Sequence, residues 1–231
     1  IKGIKRAAIA TVLPFETPVL LLDSGANVEV SAKDLVQFGV MGSVYAQRVF
    51  SNDDIRVGLL NNGTEYNKGT PLTKEAYSLL SECDSINFVG NIESRTIPFD
   101  SCDVLVCDGF SGNIVLKFAE GMGTLMIKTM KDMFTKNPVT KLSALVMKEQ
   151  LRAVKKTFNA DEYGGAPLLG ISKPVIKAHG SSDAFAIKNA VMQAVKYAGS
   201  GAIRDIARYV KEENEKAEAE AQNAAACEDK N

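Results

Sequence analysis

Four short segments combine glycine with asparagine, aspartate or serine, and these residue types at this spacing could bind an anion. They read "DSGAN" (23–27), "NNGTEYNKG" (61–69), "CDGFSGN" (107–113) and "AHGSSD" (178–183). Glycine permits tight turns and close approach of the backbone to a ligand. A helix that starts after such a turn directs N–H groups and the positive end of its dipole at it. The segments predict a site for a phosphate-like anion, although these residues are also ordinary in strand-to-helix turns.

Each segment follows a short apolar run and precedes a helical pattern. The apolar runs are 19–23, 55–60, 86–90, 103–108 and 174–178, and the helical patterns cover about 32–49, 72–82, 112 onward and 183–198. The runs are continuously apolar, which is typical of a parallel sheet covered on both faces. This alternation predicts an α/β fold with three layers, α/β/α, and a mostly parallel sheet. Because ligands of such sheets bind beyond the carboxyl ends of the strands, we expect the four segments to share one edge.

The composition disfavours several classes of protein. The chain carries 27 Lys and Arg against 28 Asp and Glu and has no Trp, so we predict no nucleic-acid binding. No apolar run approaches the roughly 20 residues of a membrane span. Four cysteines and the single His179 follow no zinc spacing, which predicts reduced thiols and no metal site. P-loop, dinucleotide-binding and hydrolase-elbow motifs are not found in the sequence.

Seven ordered motifs carry a family resemblance. They are "LLLDSGAN", "QFGVMGSVYA", "RVGLLNNGTEYNKGTPLTKEAY", "INFVGNIESR", "DVLVCDGFSGNIVLK", "YGGAPLLG" and "VIKAHGSSDAFAIKNA". From about Ile4 to about Glu213 the chain closely resembles the bacterial phosphate acyltransferases of phospholipid synthesis. The resemblance implies a homodimeric enzyme that moves a fatty acyl group from acyl carrier protein to inorganic phosphate, without metal or cofactor. It also implies a fold like that of isocitrate and isopropylmalate dehydrogenases and phosphotransacetylase.

The chain departs from the family pattern in a few places. Ser24 stands where the family usually has Val, Ala7 where it has Pro, and Ser94 where most members have Gly or Ala. The first residue is Ile1, and the family's N-terminal third is absent. We therefore expect a fragment or a processing product that acts beside the missing segment or is inactive alone.

The implied reaction assigns roles to three residues. Phosphate attacks a thioester carbonyl, so the site must align the reactants and stabilise the developing oxyanion. Lys68, where the resemblance places a functional lysine, is the candidate cation for phosphate; alternatively it is a solvated turn residue. Asn113 is a candidate donor to phosphate or carbonyl oxygen, or else caps a helix. His179 could protonate the departing thiolate or only orient a neighbour.

Further residues of the Gly-rich segments are expected to bind substrate, and Asp108 to orient a neighbour such as Lys68 or to cap backbone. The predicted substrate-binding residues are Asp23, Gly25, Asn27, Asn61, Gly63, Asp108, Gly109, Ser111, Gly112, Gly180 and Ser181.

Residues 1–210 are expected to form the acyltransferase domain, and the charged tail 211–231 a frayed helix or a disordered segment. Residues 135–160 are basic and apolar at helical spacing, which predicts a protruding helical hairpin. We expect Leu142, Leu145, Val146 and Lys148 to contact an anionic membrane. Acyl carrier protein or a dimer partner are the alternative occupants of this surface. This places the protein in the cytoplasm, peripherally associated with the inner face of the cell membrane.

Other functions remain open at this stage. A metal-dependent decarboxylating dehydrogenase of the same fold class would need a cluster of Asp residues on one helix, which the sequence lacks. A short-chain phosphotransacetylase would use CoA thioesters. A non-catalytic module that docks on membranes or on carrier protein is the third possibility.

Overall fold

The computed structural model describes residues 1–15, 17–157, 164–180, 182–213 and 215. The strands are β1 (Ala8–Leu13), β2 (Val19–Leu22), β3 (Arg56–Asn61), β4 (Asn87–Glu93), β5 (Val104–Val106), β6 (Ala166–Leu169) and β7 (Ile176–Lys177). The helices are α1 (Ala32–Phe50), α2 (Pro71–Ser81), α3 (Gly109–Thr135), α4 (Pro138–Val146), α5 (Lys148–Thr157) and α6 (Ala184–Gly199). A further helical stretch covers 202–213, and the rest of the predicted tail, apart from residue 215, lies outside the described residues.

The strands form one seven-stranded sheet in the order β4-β3-β5-β2-β1-β6-β7. The four strands from β4 to β2 are mutually parallel, whereas β1 pairs antiparallel with both β2 and β6, and β7 pairs antiparallel with β6. The predicted mostly parallel sheet is confirmed. Strands β1 and β6 were not predicted, since β1 has small alanines among its apolar residues and β6 contains Pro167.

Helices cover both faces of the sheet, which confirms the three-layer α/β/α prediction. On one face Leu20, Leu22 and Val104 pack in the larger apolar cluster, together with residues of α1, α2 and α6. On the other face Leu21 and Leu105 belong to a smaller cluster that Val115, Leu116 and Ala119 of α3 cover. The alternation of neighbouring strand residues between the two clusters explains why these strands are apolar throughout.

The residue that precedes each of three helices caps its N-terminal end. Thr70 accepts a hydrogen bond from the Thr73 amide at the start of α2, where Pro71 occupies the first turn. Asp108 caps α3 in the same way, and Asp183 caps α6. Such caps satisfy N–H groups that a helix cannot satisfy internally. The polar residues of the turns therefore have a structural use, independent of any ligand.

The predicted helical hairpin consists of α4 and α5 after the long helix α3. None of the residues of α4 is buried, and Leu142, Leu145 and Val146 are 65%, 69% and 80% exposed. Residues 158–160 of the predicted segment lie outside the described residues. Among the helices described, none is both long and apolar enough to cross a bilayer.

Candidate anion-binding site

The loop after β2 is organised around the carboxylate of Asp23, which is fully buried. Its Oδ1 accepts hydrogen bonds from the amides of Ile9 (3.1 Å), Gly25 (3.1 Å) and Ala26 (3.0 Å). Its Oδ2 accepts from the amide (2.7 Å) and side-chain Nδ2 (2.9 Å) of Asn27. Hydrogen bonds of this kind stabilise a buried carboxylate. Asp23 and the amides around it are thus engaged with one another, which corrects the expectation that these amides bind an anion.

This loop packs directly on the first turn of α3. The Asn27 carbonyl accepts a hydrogen bond of 2.7 Å from the Gly109 amide. A methyl group at Gly112 would collide with the Asp23 carbonyl oxygen and lie 2.8 Å from the Cys107 Sγ. Glycine is needed at 112 for this close approach of two backbones. The β2 loop and the start of α3 therefore form one packed unit.

Asp108 is the N-cap of α3, so the capping role considered for Asn113 is wrong. The Asp108 carboxylate accepts hydrogen bonds of 2.8 Å from both the amide and the hydroxyl of Ser111. Asn113 lies one turn further on and is exposed, with its Oδ1 3.6 Å from the position of a methyl group on Gly25. Its side chain makes no hydrogen bond to any residue that the structure describes. Its amide group is therefore accessible to a ligand.

Two asparagine side chains close the loop after β3. Asn61 Nδ2 donates to the Lys68 carbonyl (3.2 Å), and Asn61 Oδ1 accepts from the Asn62 amide (2.8 Å). Asn91, on the neighbouring strand β4, donates from Nδ2 to the Glu65 carbonyl (2.8 Å). The sequence interpretation missed Asn91, although a carboxamide within the apolar run 88–92 was a signal. Asn61 thus holds the loop, which differs from its predicted contact with substrate.

The backbone amides of the loop after β3 differ from those of the β2 loop and of the first turn of α3. In the described part of the chain, the backbone amides of residues 63–67 donate to no protein acceptor. Lys68 is exposed, and its ammonium group pairs with no described carboxylate. Gly63 is buried, whereas residues 64–67 are exposed. Consecutive unpaired amides of exposed residues beside a lysine suit an oxyanion, since the ammonium supplies charge and the amides supply donors. Of the four Gly-rich segments, this one best fits the predicted anion site.

The sheet brings this loop close to the start of α3. Strands β3 and β5 are parallel neighbours with Leu59 opposite Val106, so Asn61 and Asp108 end adjacent strands. Asn113 lies beside Gly25, which follows β2, the next strand along. Two strand spacings amount to about 10 Å. Lys68, held at the end of β3 by Asn61, and Asn113 therefore lie at the same edge of the sheet.

The fourth segment does not join the other three, and the expectation of one shared edge is wrong for it. Strand β7 is outermost and antiparallel to β6, so its carboxyl end faces the opposite edge. Strands β3 and β7 are five positions apart in the sheet, a separation of about 24 Å. The structure therefore does not bring His179 and Gly180 to Lys68. Ser181 lies outside the described residues.

Two buried cysteines are unsuited to act as nucleophiles. Cys107 is buried, and its thiol donates to the Asp23 carbonyl at 3.5 Å. Burial raises the pKa of this thiol well above its ordinary value, and raises the pKa of Cys102 to about 12. Thiolates rather than thiols attack carbonyl groups. In the described residues no group of three or more His, Cys, Asp or Glu is placed to hold a metal ion.

The fold defines an α/β/α class that includes solved phosphotransacetylases. The phosphotransacetylase from Streptococcus pyogenes has a TM-score of 0.54 and 19% identity, covering 85% of this chain and 55% of that one. The phosphotransacetylase from Staphylococcus aureus has a TM-score of 0.53 and 15% identity, covering 87% and 55%. At these identities the likeness concerns the fold alone.

The sequence comparisons show the family. The chain belongs to the family described as fatty acid synthesis protein, whose model matches residues 1–204. It is 46% identical over 216 residues to a protein named phosphate acyltransferase from Caldanaerobacter subterraneus subsp. tengcongensis, covering 93% of this chain and 64% of that protein. The phosphate acyltransferase from Bacillus subtilis is 46% identical over 215 residues, covering 92% and 65%. The predicted resemblance is confirmed, and the chain spans about two thirds of these relatives, 64% and 65% of their lengths.

Proposed function

We propose that this chain carries the phosphate-binding part of an acyltransferase that moves a long-chain fatty acyl group from acyl carrier protein to inorganic phosphate. The observation that carries the proposal is the 46% identity with a phosphate acyltransferase over 93% of the chain. The unpaired amides of the exposed residues 64–67 beside Lys68 support it, since they provide donors for an oxyanion. Acyl phosphate would then leave as a precursor of phospholipids.

The chemistry needs no covalent intermediate on the protein. A phosphate oxygen attacks the thioester carbonyl carbon, the carbon–sulfur bond breaks, and the acyl group ends on phosphate while the thiolate leaves. Lys68 reduces the repulsion between phosphate and the electron-rich carbonyl. The amide of Asn113 donates to the carbonyl oxygen as negative charge develops on it. A thiolate with an ordinary pKa near 8.5 leaves without obligatory help, so the proposal assigns no proton donor to the distant His179.

Asp23 and Asp108 act through the backbone in this proposal. Their carboxylates hold the amides of the β2 loop and of the α3 start, and a direct carboxylate contact would repel phosphate. The glycines at 109 and 112 let these two segments pack together. This packed unit supports Asn113, which lies on α3 one turn after Asp108.

We further propose that the hairpin of α4 and α5 is the membrane contact. Leu145 and Val146 are exposed at the end of α4, and Lys148 follows after Met147. Apolar side chains flanked by lysines suit an anionic bilayer surface. Such contact would deliver a lipid precursor where it is used.

The proposal includes a homodimer. Helix α3 exposes apolar side chains along its length, including Ile114 (54%), Phe118 (70%) and Leu125 (54%). Helix α6 does the same, with Val191 at 57% and Val195 at 62% exposed. Contiguous apolar surfaces of this kind mark contacts with another chain or with the rest of a longer protein. We propose that a second copy covers part of them.

An assay of acyl phosphate tests the reaction. The chain is incubated with palmitoyl carrier protein and radiolabelled phosphate, alone and with the remaining third of a full-length relative, and labelled acyl phosphate is extracted into organic solvent and counted. We expect labelled acyl phosphate and free thiol in equal amounts, both dependent on phosphate. Turnover with acetyl-CoA but not palmitoyl carrier protein would favour the short-chain phosphotransacetylase instead. Thiol release that does not depend on phosphate would contradict both the long-chain and the short-chain reaction.

A further inference from the structure

We infer that Asn91, a residue with no predicted role, is a positioning residue that holds the β3–α2 loop in the shape that presents Lys68 and the amides of 64–67 to phosphate. The inference rests on the proposed function for its ligand, and on the geometry of strand β4 for its mechanism.

Asn91 occupies a place that would ordinarily take an apolar side chain. It lies on β4 opposite Leu59 of β3, and only 5% of it is exposed. The next residue, Ile92, belongs to an apolar cluster. Its Oδ1 is buried and has no hydrogen-bond partner in the described structure. A buried polar atom without a partner lowers stability, so packing alone does not account for an asparagine here.

The one side-chain hydrogen bond that the described structure gives Asn91 goes to the loop. Its Nδ2 donates to the Glu65 carbonyl at 2.8 Å, across 26 positions of sequence. The same carbonyl accepts the Lys68 amide at 3.1 Å. One oxygen therefore links the rigid strand to the turn that carries the lysine. Asn61 holds the other end of that turn through the Lys68 carbonyl.

The loop depends on these two side chains because the backbone amides of residues 63–67 donate to no acceptor in the described structure. Without the Asn91 hydrogen bond, residues 63–67 keep only the Glu65–Lys68 turn and the Asn61 contacts. The lysine would then sample more positions, and phosphate binding would have to order the loop. Ordering a loop on binding weakens affinity. Asn91 thus acts on phosphate through Lys68 rather than by touching it.

The decisive variant is Asn91→Leu, which keeps the number of heavy atoms in the side chain and removes both polar atoms. We expect the dissociation constant for inorganic phosphate, measured by calorimetry, to rise about tenfold. Hydrogen exchange of the Asn62 and Lys68 amides, the two amides of 62–68 that donate to protein acceptors, should accelerate by a similar factor. The melting temperature should stay the same or rise, since the unpaired Oδ1 is gone while the Glu65 carbonyl keeps its bond from Lys68. A merely structural asparagine would instead lower the melting temperature and leave phosphate affinity unchanged.

Asn87→Leu is the matched control on the same strand. Asn87 donates to Asp54 at 2.9 Å, at the opposite end of β4, so its replacement should not affect exchange in 62–68 or phosphate affinity. Asn91→Ser is measured in parallel. This variant also removes the contact with the Glu65 carbonyl, but it keeps a polar group at position 91. Combining Asn91→Leu with Lys68→Ala should weaken phosphate binding by less than the product of the two single effects, since both variants affect the Lys68 contact.

The outcomes separate the two claims. Unchanged phosphate affinity and unchanged exchange of 62–68 in folded Asn91→Leu or Asn91→Ser would overturn the inference and leave the proposed function intact. Absence of phosphate binding by the unmodified chain would contradict the proposed function. The exchange measurement needs no ligand, so it would still decide whether Asn91 holds the loop.

Discussion

At the scale of single residues, Asp23 and Asp108 use their carboxylates on the protein's own N–H groups. Each stands at a strand end where the sequence suggested contact with an anion, and each satisfies amides that an anion would otherwise bind. The types and positions of these residues were readable from the sequence. Which donors they accept depends on how the chain folds back on itself, and only the structure shows that.

The residue-scale prediction concerns Asn113→Ala. Because Asp108 caps α3, loss of the Asn113 side chain removes no cap, and alanine is the better helix former. We expect unchanged or slightly higher stability, with kcat lowered by about a hundredfold or more if the amide stabilises the oxyanion. Steady-state kinetics together with thermal unfolding measure both. Thr129→Ala, at an exposed position of the same helix, is the control. Full activity of folded Asn113→Ala would remove Asn113 from the mechanism.

At the scale of elements, the contact between the β2 loop and the start of α3 supports the site. A methyl group at Gly112 would strike the Asp23 carbonyl, so Gly112→Ala should push the two segments apart. We expect a loss of about 1–3 kcal/mol in the free energy of unfolding, as overpacking costs. Activity should fall further than the loss of folded protein explains, since Asn113 moves with the helix. Denaturant unfolding and kinetics test this.

Gly121→Ala provides the matched comparison within α3. Nothing lies within 4 Å of a methyl group at that position. Alanine should therefore stabilise the helix by about 0.5–1 kcal/mol. Equal effects of the two substitutions would mean that helix propensity, rather than the contact with Asp23, determines the outcome at Gly112.

Packing between α1 and α6 gives a pH-dependent prediction. Tyr45 is buried against Tyr197, with ring centres 5.1 Å apart, and burial raises its pKa from 10.0 to about 12, partly offset by the hydrogen bond from Gln193. The unfolded chain loses this proton first, so stability falls as the pH rises from about 10 towards 12. The loss attributable to Tyr45 approaches about 2–3 kcal/mol. Tyr45→Phe should show a shallower alkaline decline in denaturant unfolding, and an identical decline would contradict this origin.

Most elements could be predicted because their signals are local. Apolar runs marked the strands β2 to β5, and helical patterns marked the helices that follow them. Helix α3 begins at Gly109 rather than near 112, because Asp108 is the cap and the glycines after it are helical. Strands β1 and β6 were not predicted because short runs with alanine or proline carry little local signal.

At the scale of the whole molecule, strand direction decides which loops meet. Four similar segments looked equivalent in the sequence, yet β7 is antiparallel and five positions away from β3. Direction and order depend on contacts between distant segments, which local patterns do not encode. For the same reason the role of Asn91 was missed, since this residue of β4 bonds to Glu65 in the loop after β3. The predicted role of His179 therefore finds no support within a single copy of the chain.

The whole-molecule prediction concerns the exposed hairpin. Leu145→Glu combined with Val146→Glu should abolish flotation with vesicles of anionic phospholipid, because two charges enter the apolar contact. Val28→Glu, at a residue 66% exposed outside the hairpin, should float like the unmodified protein. Stability should not change, since none of the residues of α4 is buried. Unaltered flotation of the double variant would refute the proposed membrane contact.

The central claim is that Lys68 and the loop it belongs to hold inorganic phosphate. Calorimetric titration with phosphate tests this most directly, comparing the unmodified chain with Lys68→Ala and with Lys74→Ala, an exposed lysine on α2. We predict that Lys68→Ala weakens binding by tenfold or more, as expected for the loss of a charge-assisted contact, while Lys74→Ala binds normally. Equal affinity in all three proteins would contradict the account.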